Sequence, residues 1–503
     1  MLVANFTNSQ PLYRSHDIRS IEQAAAALSP SPALMERAGK AAAELARQLF
    51  DNHYAVLVLA GPGNNGGDAL VAARHLKERW YQVTVVLAGD PEKLPRDAAL
   101  ALQAWREGGG DILPSIPTDG HWDLVLDGLF GIGLERDLSG MYLELVKQVN
   151  RMETPVLSLD IPSGLDSETG QPFRAAVRAD HTLTFIGLKP GLFTAYGPDY
   201  CGRIHLATLD LSLDLLPPGK GHLIGSSDVA SYLKPRPRNS HKGMLGSVGV
   251  LGGTESMTGA AFMAARSALL LGAGRVYLGL LSENAPSVDF LQPELMLRNP
   301  DQLLEMDLDC LVIGPGLGQS APALGYLERA LKSDLKLVID ADALNLLGSH
   351  AELQSLLKTR TAASILTPHP AEAGRLLNCS NHEIQQDRIG SAQVLASRLN
   401  SLLVLKGAGT VCAFPDETWH INPSGNAGLS SAGMGDILCG MIAALLGQRL
   451  TGERATLLAV YLHGRAADEL VKNGTGPIGL TTSEVAIMAR TLLNRWVYGD
   501  AVA

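Results

Sequence analysis

Two successive α/β units, each built on a mostly parallel sheet, are predicted for this chain of 503 residues. Three observations predict that fold. Apolar, strand-like runs such as AVLVLA (55–60), DLVLD (123–127) and VLSLD (156–160) alternate with stretches of helical length, the pattern of βαβ units. Glycine-rich loops or lone carboxylates stand directly after several of these runs, at the sheet edge where such folds bind ligands. The alternation also runs twice, with the Pro/Gly-rich stretch LLPPGKGHLIGSS (215–227) between the two series. A chain of this length needs more than one core, on the order of two to three domains.

In order, a helical pattern over 17–49 leads to a strand at 55–60, a Gly-rich loop, a helix at 69–80 and a strand at 83–88. Further strands are expected at 123–127, 156–160 and 181–186. The first domain is set at 1–215, a linker at 216–227 and the second domain at 228–503. The second series has a strand at 245–251, a helix at 259–271, and strands at 310–313, 337–340, 364–366 and 402–406. Residues 433–497 read as mostly helical.

Hydrophobic residues at 46% and charged residues at 18% are an ordinary soluble balance. A formal net charge of -10 argues against nucleic acid or an anionic membrane as main partner. Any phosphate must then be held by local amides and a few cations. The apolar run 437–447 is too short to span a bilayer, and MLVANFTNSQ has no basic stretch followed by an apolar core. Cys201, Cys310, Cys379, Cys412 and Cys439 are widely spaced with no C-x-x-C pair, so reduced thiols in a cytoplasmic protein are expected.

The first loop, Gly61-Pro62-Gly63-Asn64-Asn65-Gly66-Gly67-Asp68, follows a strand and opens a helix. Its spacing is neither G-x-G-x-x-G nor a Walker loop. By itself a Gly/Asn turn with an N-cap Asp is the bland reading. Two further strand ends favour function: Asp127 ends DLVLD and Asp160 ends VLSLD, so carboxylates converge at one edge, which a sheet core does not need.

Together MERAG (35–39), GPGNNGGD (61–68), DGLFGIGL (127–134), DIPSGLD (160–166) and GLKPG (187–191) resemble the NAD(P)H-hydrate epimerase domain, over about residues 10–215. The resemblance implies a Rossmann-like three-layer fold. It further implies that Asn64, Asn65, Gly66, Gly67 and Asp68, with Gly131, Ile132, Gly133, Leu134, Glu135, Arg136 and Asp137, hold the hydrated dinucleotide. Asp160 would contact that substrate as the acid/base group, and Asn65, Asp127 and Ser163 would bind potassium. An all-oxygen, weakly charged set suits a large monovalent ion better than zinc. Lys189 is a candidate second polar group, although a lysine is more often a solvated surface residue, and Ala69 stands where glycine is expected.

In the second series, Ser430-Ser431-Ala432-Gly433-Met434-Gly435-Asp436 opens a long apolar helix. Two glycines permit a tight turn, and the first amides of the helix make an anion site with an acid beside it. Alone, that segment reads as a small-molecule kinase. It is joined by NSHKG (239–243), GPGLG (314–318), DADALN (340–345), TPHPAE (367–372) and KGAGT (406–410), all assigned to strand ends.

This order, with GGTESMTGAAFMAARSALLLGAG (252–274), resembles the ribokinase-like superfamily and more closely the ADP-dependent NAD(P)H-hydrate dehydratase domain, over about residues 228–497. The resemblance implies a ribokinase-like α/β domain. Lys406, Gly407, Ala408, Gly409, Thr410 and Gly435 would bind the adenine nucleotide, and Ala260, Gly316, His369 and Asp436 would contact the hydrate. ADP would phosphorylate the hydrate's hydroxyl, deprotonated by Asp436, and elimination would return NAD(P)H with AMP and phosphate. Mg2+ is expected on the nucleotide phosphates, with no sequence-local carboxylate cage.

Three readings stand at this point. A bifunctional repair enzyme would epimerise the R and S forms of NADHX and NADPHX in its N-terminal half and dehydrate the S form in its C-terminal half. A vitamin or sugar kinase would leave the N-terminal motifs without a purpose. A degenerate sensing module would have lost Asp160, Asp436 or the glycines, and all are present. The apolar C-terminal helices suit either intrachain packing or a homo-oligomer, with intrachain packing the default.

Overall fold

The structure, a computed structural model, describes residues 2–3, 6–28, 33–50 and 55–499. Two compact units divide the chain between Gly221 and His222, apart from a short N-terminal exchange.

In the first unit the sheet order is Leu2–Val3, Arg203–Ala207, His181–Phe185, Val156–Leu159, Leu124–Gly128, Ala55–Ala60, Gln82–Leu87 and Ile112–Leu113. All neighbours are parallel except the antiparallel edge strand Leu2–Val3. The central strands are apolar on both faces because helices cover both; residues from Val56 through Ala60 are fully buried. The chain leaves Ala55–Ala60 toward one edge and returns to Leu124–Gly128 on the other side, so the loops after these two strands part at a switch point.

The helical pattern over 17–49 resolves into Ser15–Leu28 and Leu34–Leu49, and residues 29–32 lie outside the described residues. The helix expected from residue 69 starts earlier, as Asn64–Lys77, which draws much of the glycine loop into its first turn. Packing explains why glycine is needed there: a Cβ on Gly66 would stand 2.0 Å from the Gly61 carbonyl oxygen. Ala69 is accommodated because Gly128 faces it, where a Cβ would be only 2.5 Å from the Ala69 methyl.

The second unit's sheet runs Met296–Arg298, Arg275–Leu280, Ser247–Gly252, Cys310–Ile313, Lys336–Ile339, Ser364–Leu366, Leu402–Leu405, Val411–Ala413, Trp419–Ile421 and Gly221–Leu223. It is parallel as far as Leu402–Leu405 and continues through an antiparallel hairpin. The strand Gly221–Leu223 and the start of helix Ser226–Ala230 occupy the stretch read as a linker. Its prolines and glycines fall in the irregular segment that leads into this short strand. Again there is a switch point, between Ser247–Gly252 and Cys310–Ile313.

Helices Thr258–Leu270, Met434–Gly447, Gly452–Lys472 and Thr482–Tyr498 share one core. The apolar run at 437–447 is entirely buried in it. Gly440 lets two helices touch, since a Cβ there would lie 2.0 Å from the Ala264 carbonyl oxygen. Among the described residues no helix is long and apolar enough to cross a membrane. All five cysteines are free thiols.

Candidate active sites

In the first unit, Asp160 is the first residue past strand Val156–Leu159 and takes φ +65, a left-handed conformation that Asp tolerates better than most residues. Its Oδ2 accepts from the Ile132 amide at 3.0 Å, and its Oδ1 accepts from Lys189 Nζ at 2.6 Å. Lys189, fully buried, also donates to Thr184 Oγ1 and the Phe185 carbonyl at 2.8 Å each, so its three protons are engaged. Gly131 leaves room for this carboxylate, since a Cβ there would sit 2.7 Å from Asp160 Oδ2.

Burial, and then the charges of Asp160 and Glu22, push Asp68 well above the ordinary carboxylate range. Burial and Asp160 also raise Glu22, against the pull of Lys189. Asp68, Glu22 and Asp160 thus gather carboxylates at one sheet edge, with the Lys189 ammonium bonded to Asp160. Glu22, on helix Ser15–Leu28, belongs to no motif and had no local signal. Of the expected substrate loop, Gly131 and Ile132 meet Asp160, Glu135 pairs with Arg19 at 3.4 Å, and Arg136 and Asp137 remain exposed.

Beneath this edge Asp127 is fully buried. Its Oδ2 accepts from Ser158 Oγ at 2.7 Å and the Ser163 amide at 2.9 Å, and its Oδ1 from Ser163 Oγ at 2.6 Å. Burial still leaves its carboxyl above the usual range despite these bonds. Asn65 donates to the Leu159 carbonyl at 3.3 Å, while its buried Oδ1 has no hydrogen-bond partner. Asp127 is therefore a buried, fully bonded carboxyl, and Asn65 Oδ1 a buried oxygen without a protein partner.

In the second unit, Lys406 follows strand Leu402–Leu405, and its Nζ lies 2.8 Å from Asp340 Oδ1 and 3.8 Å from Glu372 Oε2. Burial would raise Asp340, but the Lys406 ammonium outweighs it and holds the carboxyl below its ordinary value. Burial pushes Glu372 up to about 7, with Lys406 opposing. Asp436, in the first turn of Met434–Gly447, is pushed up to about 7 by burial and then by Asp340. Gly433 turns the chain at φ +87, and Gly435 leaves the ion pair clear, since a Cβ there would meet Lys406 Nζ at 3.1 Å.

The loop Lys406–Thr410 is held by buried Arg388, whose Nη2 donates to the Leu405 and Lys406 carbonyls at 3.3 and 3.2 Å. Thr410 Oγ1 closes the turn on the Gly407 carbonyl at 3.0 Å. At the switch point Gly316 has φ +60 and its carbonyl accepts from the Thr254 amide at 2.7 Å, next to the helix turn that carries Ala260. His369 is first of all a helix cap: Nδ1 accepts from the Ala371 amide at 3.1 Å, and Nε2 stands 3.3 Å from Glu372 Oε1.

One expected motif is not brought in. NSHKG (239–243) precedes strand Ser247–Gly252 and is largely exposed, so it lies at the amino edge, opposite GPGLG, Asp340, TPHPAE and Lys406. The sequence reading treated all strand ends alike, although only the carboxyl edge of a parallel sheet gathers ligands. Asp340 and Glu372 stand within DADALN and TPHPAE, and the sequence alone assigns them no role. The signal for Asp340 was available, because it ends KLVID just as Asp160 ends VLSLD.

Two family descriptions match the chain, one in each unit: "YjeF-related protein N-terminus" over residues 31–191 and "NAD(P)H-hydrate dehydratase" over 248–488. The bifunctional NAD(P)H-hydrate repair enzyme Nnr of Escherichia coli is 39% identical over 467 residues, covering 92% of this chain and 89% of that protein. The chain belongs to the bifunctional NAD(P)H-hydrate repair enzymes. The Coxiella burnetii member of that name is 38% identical over 96% of this chain and 99% of its own length. A solved ADP/ATP-dependent NAD(P)H-hydrate dehydratase from Bacillus subtilis, co-crystallised with ATP/Mg2+, is 32% identical over 53% of this chain and 96% of its own, with a TM-score of 0.48. The repair enzyme therefore carries an epimerase domain in its first unit and a dehydratase domain in its second.

Proposed function

We propose that the second unit uses ADP to phosphorylate the hydroxyl of the S hydrate and expels the phosphate, while the first unit converts the R hydrate to S. The observation that carries this reading is Asp436, held near pH 7 at a glycine-turned helix N-terminus. There it takes the hydroxyl proton beside amides that stabilise phosphoryl charge. Lys406, fixed by Asp340 and Glu372, presents a positive charge to the donor phosphates. Gly407, Ala408, Gly409, Thr410 and Gly435 complete the nucleotide site, and Ala260, Gly316 and His369 face the hydrate. Mg2+ bound to those phosphates would neutralise charge. No group of three or more His, Cys, Asp or Glu able to hold a metal occurs among the described residues, so the nucleotide itself must supply most of its ligands.

In the first unit, with its domain assigned to residues 1–215, Asp160 exchanges the proton at the hydrated carbon, with Lys189 fixing its orientation. Asn64, Asn65, Gly66, Gly67 and Asp68 and the loop Gly131–Asp137 line the dinucleotide. The orphaned Asn65 Oδ1 and buried Asp127 fit potassium, with Ser163 as third ligand. Such an ion would balance the buried Asp127 charge. The second domain is assigned to residues 228–503, the protein to the cytoplasm, and any assembly to copies of this chain.

The test is direct. Purified protein is mixed with chemically hydrated NADH and ADP, and absorbance of reduced nicotinamide is followed. Recovery of both epimers is expected; no recovery, or turnover only of a sugar or pyrimidine alcohol with ATP, would sink the reading. Exchanging potassium for a larger organic cation is expected to slow R-hydrate recovery about tenfold or more without touching the S phase. An equal effect on both phases would count against the Asn65/Asp127/Ser163 site.

A further inference from the structure

Arg388 opens helix Arg388–Leu399 and is 2% exposed, packed against the turn Lys406–Thr410. Burial lowers its guanidinium to about 10, so it stays charged at neutral pH. A buried charge is costly unless its donors are well used, and here they are. Nη1 donates to Gln385 Oε1 at 2.9 Å, which fixes the fork. Nη2 reaches the Lys406 carbonyl at 3.2 Å and the Leu405 carbonyl at 3.3 Å. The fork also lies against Gly407, where a Cβ would stand 2.8 Å from both Nη1 and Nη2. Lys406 is thus held at three points. Its amide donates to the Pro368 carbonyl at 2.9 Å, its carbonyl accepts from Arg388, and its Nζ pairs with Asp340.

These contacts fix the direction of one amide. In a trans peptide such as this one the N–H points opposite to the C=O, so a Lys406 carbonyl turned toward Arg388 turns the Gly407 amide away from it. Gly407 is exposed, and its amide makes no hydrogen bond among the described residues. The Gly407 carbonyl accepts from Thr410 Oγ1, so of the two groups only the amide is left to face outward. Glycine adopts φ +140 without strain but does not enforce it. Without the guanidinium this peptide is free to flip and present an oxygen in place of the N–H. The adjacent charge also polarises the peptide and strengthens that N–H as a donor. We infer that Arg388 is a positioning residue of the dehydratase, locking the Lys406–Gly407 peptide so that the Gly407 amide meets a phosphate oxygen of the donor, an inference that rests on the nucleotide reading above. Arg388 acts through the loop and touches no ligand itself.

The experiment compares Arg388→Met and Arg388→Lys with the unaltered full-length enzyme. With hydrate saturating, Arg388→Met is expected to raise KM for ADP about tenfold, the loss of one charge-assisted hydrogen bond, while the KM of the hydrate stays within about twofold. Competition by adenosine separates positioning from general damage to the site. Adenosine has no phosphate, so its inhibition constant against ADP should stay within about twofold of that of the unaltered enzyme. Arg388→Lys keeps the buried charge but replaces the planar fork by a single point donor. It carries the same test should the methionine variant not fold, and its KM for ADP should lie between those of the other two. An unchanged KM for ADP, equal weakening of ADP and adenosine, or a fall in kcat with no change in KM would overturn the inference alone. An unaltered enzyme indifferent to adenine nucleotides would overturn the donor reading and this inference with it.

Discussion

Replacing Asp436 by alanine is expected to lower dehydration by a factor on the order of 10³, the loss typical of a removed general base, while exchange of the two epimers continues at its normal rate. The separation follows from the fold. Asp436 opens helix Met434–Gly447 in the second unit, and every residue assigned to epimerisation lies in the first. The pH dependence has a definite sign. The base works deprotonated, and burial followed by the Asp340 charge places it at about 7. Dehydration should therefore fall as pH drops through 7 and level off above it. Asp436→Asn should remove that limb together with the activity. Parallel loss of both activities, or an unchanged pH limb in the asparagine variant, would reject the role.

The second large effect concerns Asp160 and Lys189. Asp160→Asn is expected to abolish recovery of the R hydrate and leave the S phase intact, so that a mixture of the two epimers recovers only in part. Asparagine is chosen because position 160 has φ +65, a conformation it tolerates far better than alanine. The variant also leaves the Lys189 ammonium buried without its counter-charge, a change that costs about 3–5 kcal/mol in comparable cases. Joint replacement, Asp160→Asn with Lys189→Met, removes both charges and should regain much of that stability while remaining without epimerase activity. Thermal denaturation separates the two effects. If the double variant regains R recovery along with stability, Asp160 is structural and the assignment is wrong.

Most of the candidate site was legible because its residues follow strands. Asp127, Asp160, Lys406 and the GPGLG loop each come directly after an apolar run, and the carboxyl edge of a parallel sheet brings such positions together whatever the loops between them. Asp436 was a candidate for a different reason, since a glycine turn opening a long apolar helix is the pattern of an anion site. The same reasoning misplaced NSHKG, which precedes its strand. Glu22 and Arg388 sit on helices with ordinary amphipathic patterns, and nothing local distinguishes them from surface or core residues.

What the sequence determined by itself is the pair of α/β units, their family and the order of their motifs, because periodicity and glycine spacing are local and survive any detail of packing. Only the tertiary structure decided the electrostatics. It joined Lys189 to Asp160 and Lys406 to Asp340, and brought Glu372 within 3.8 Å of Lys406. Charges interact through space across a buried interior of low dielectric, at distances the chain order does not encode, so their proton affinities follow from the folded arrangement.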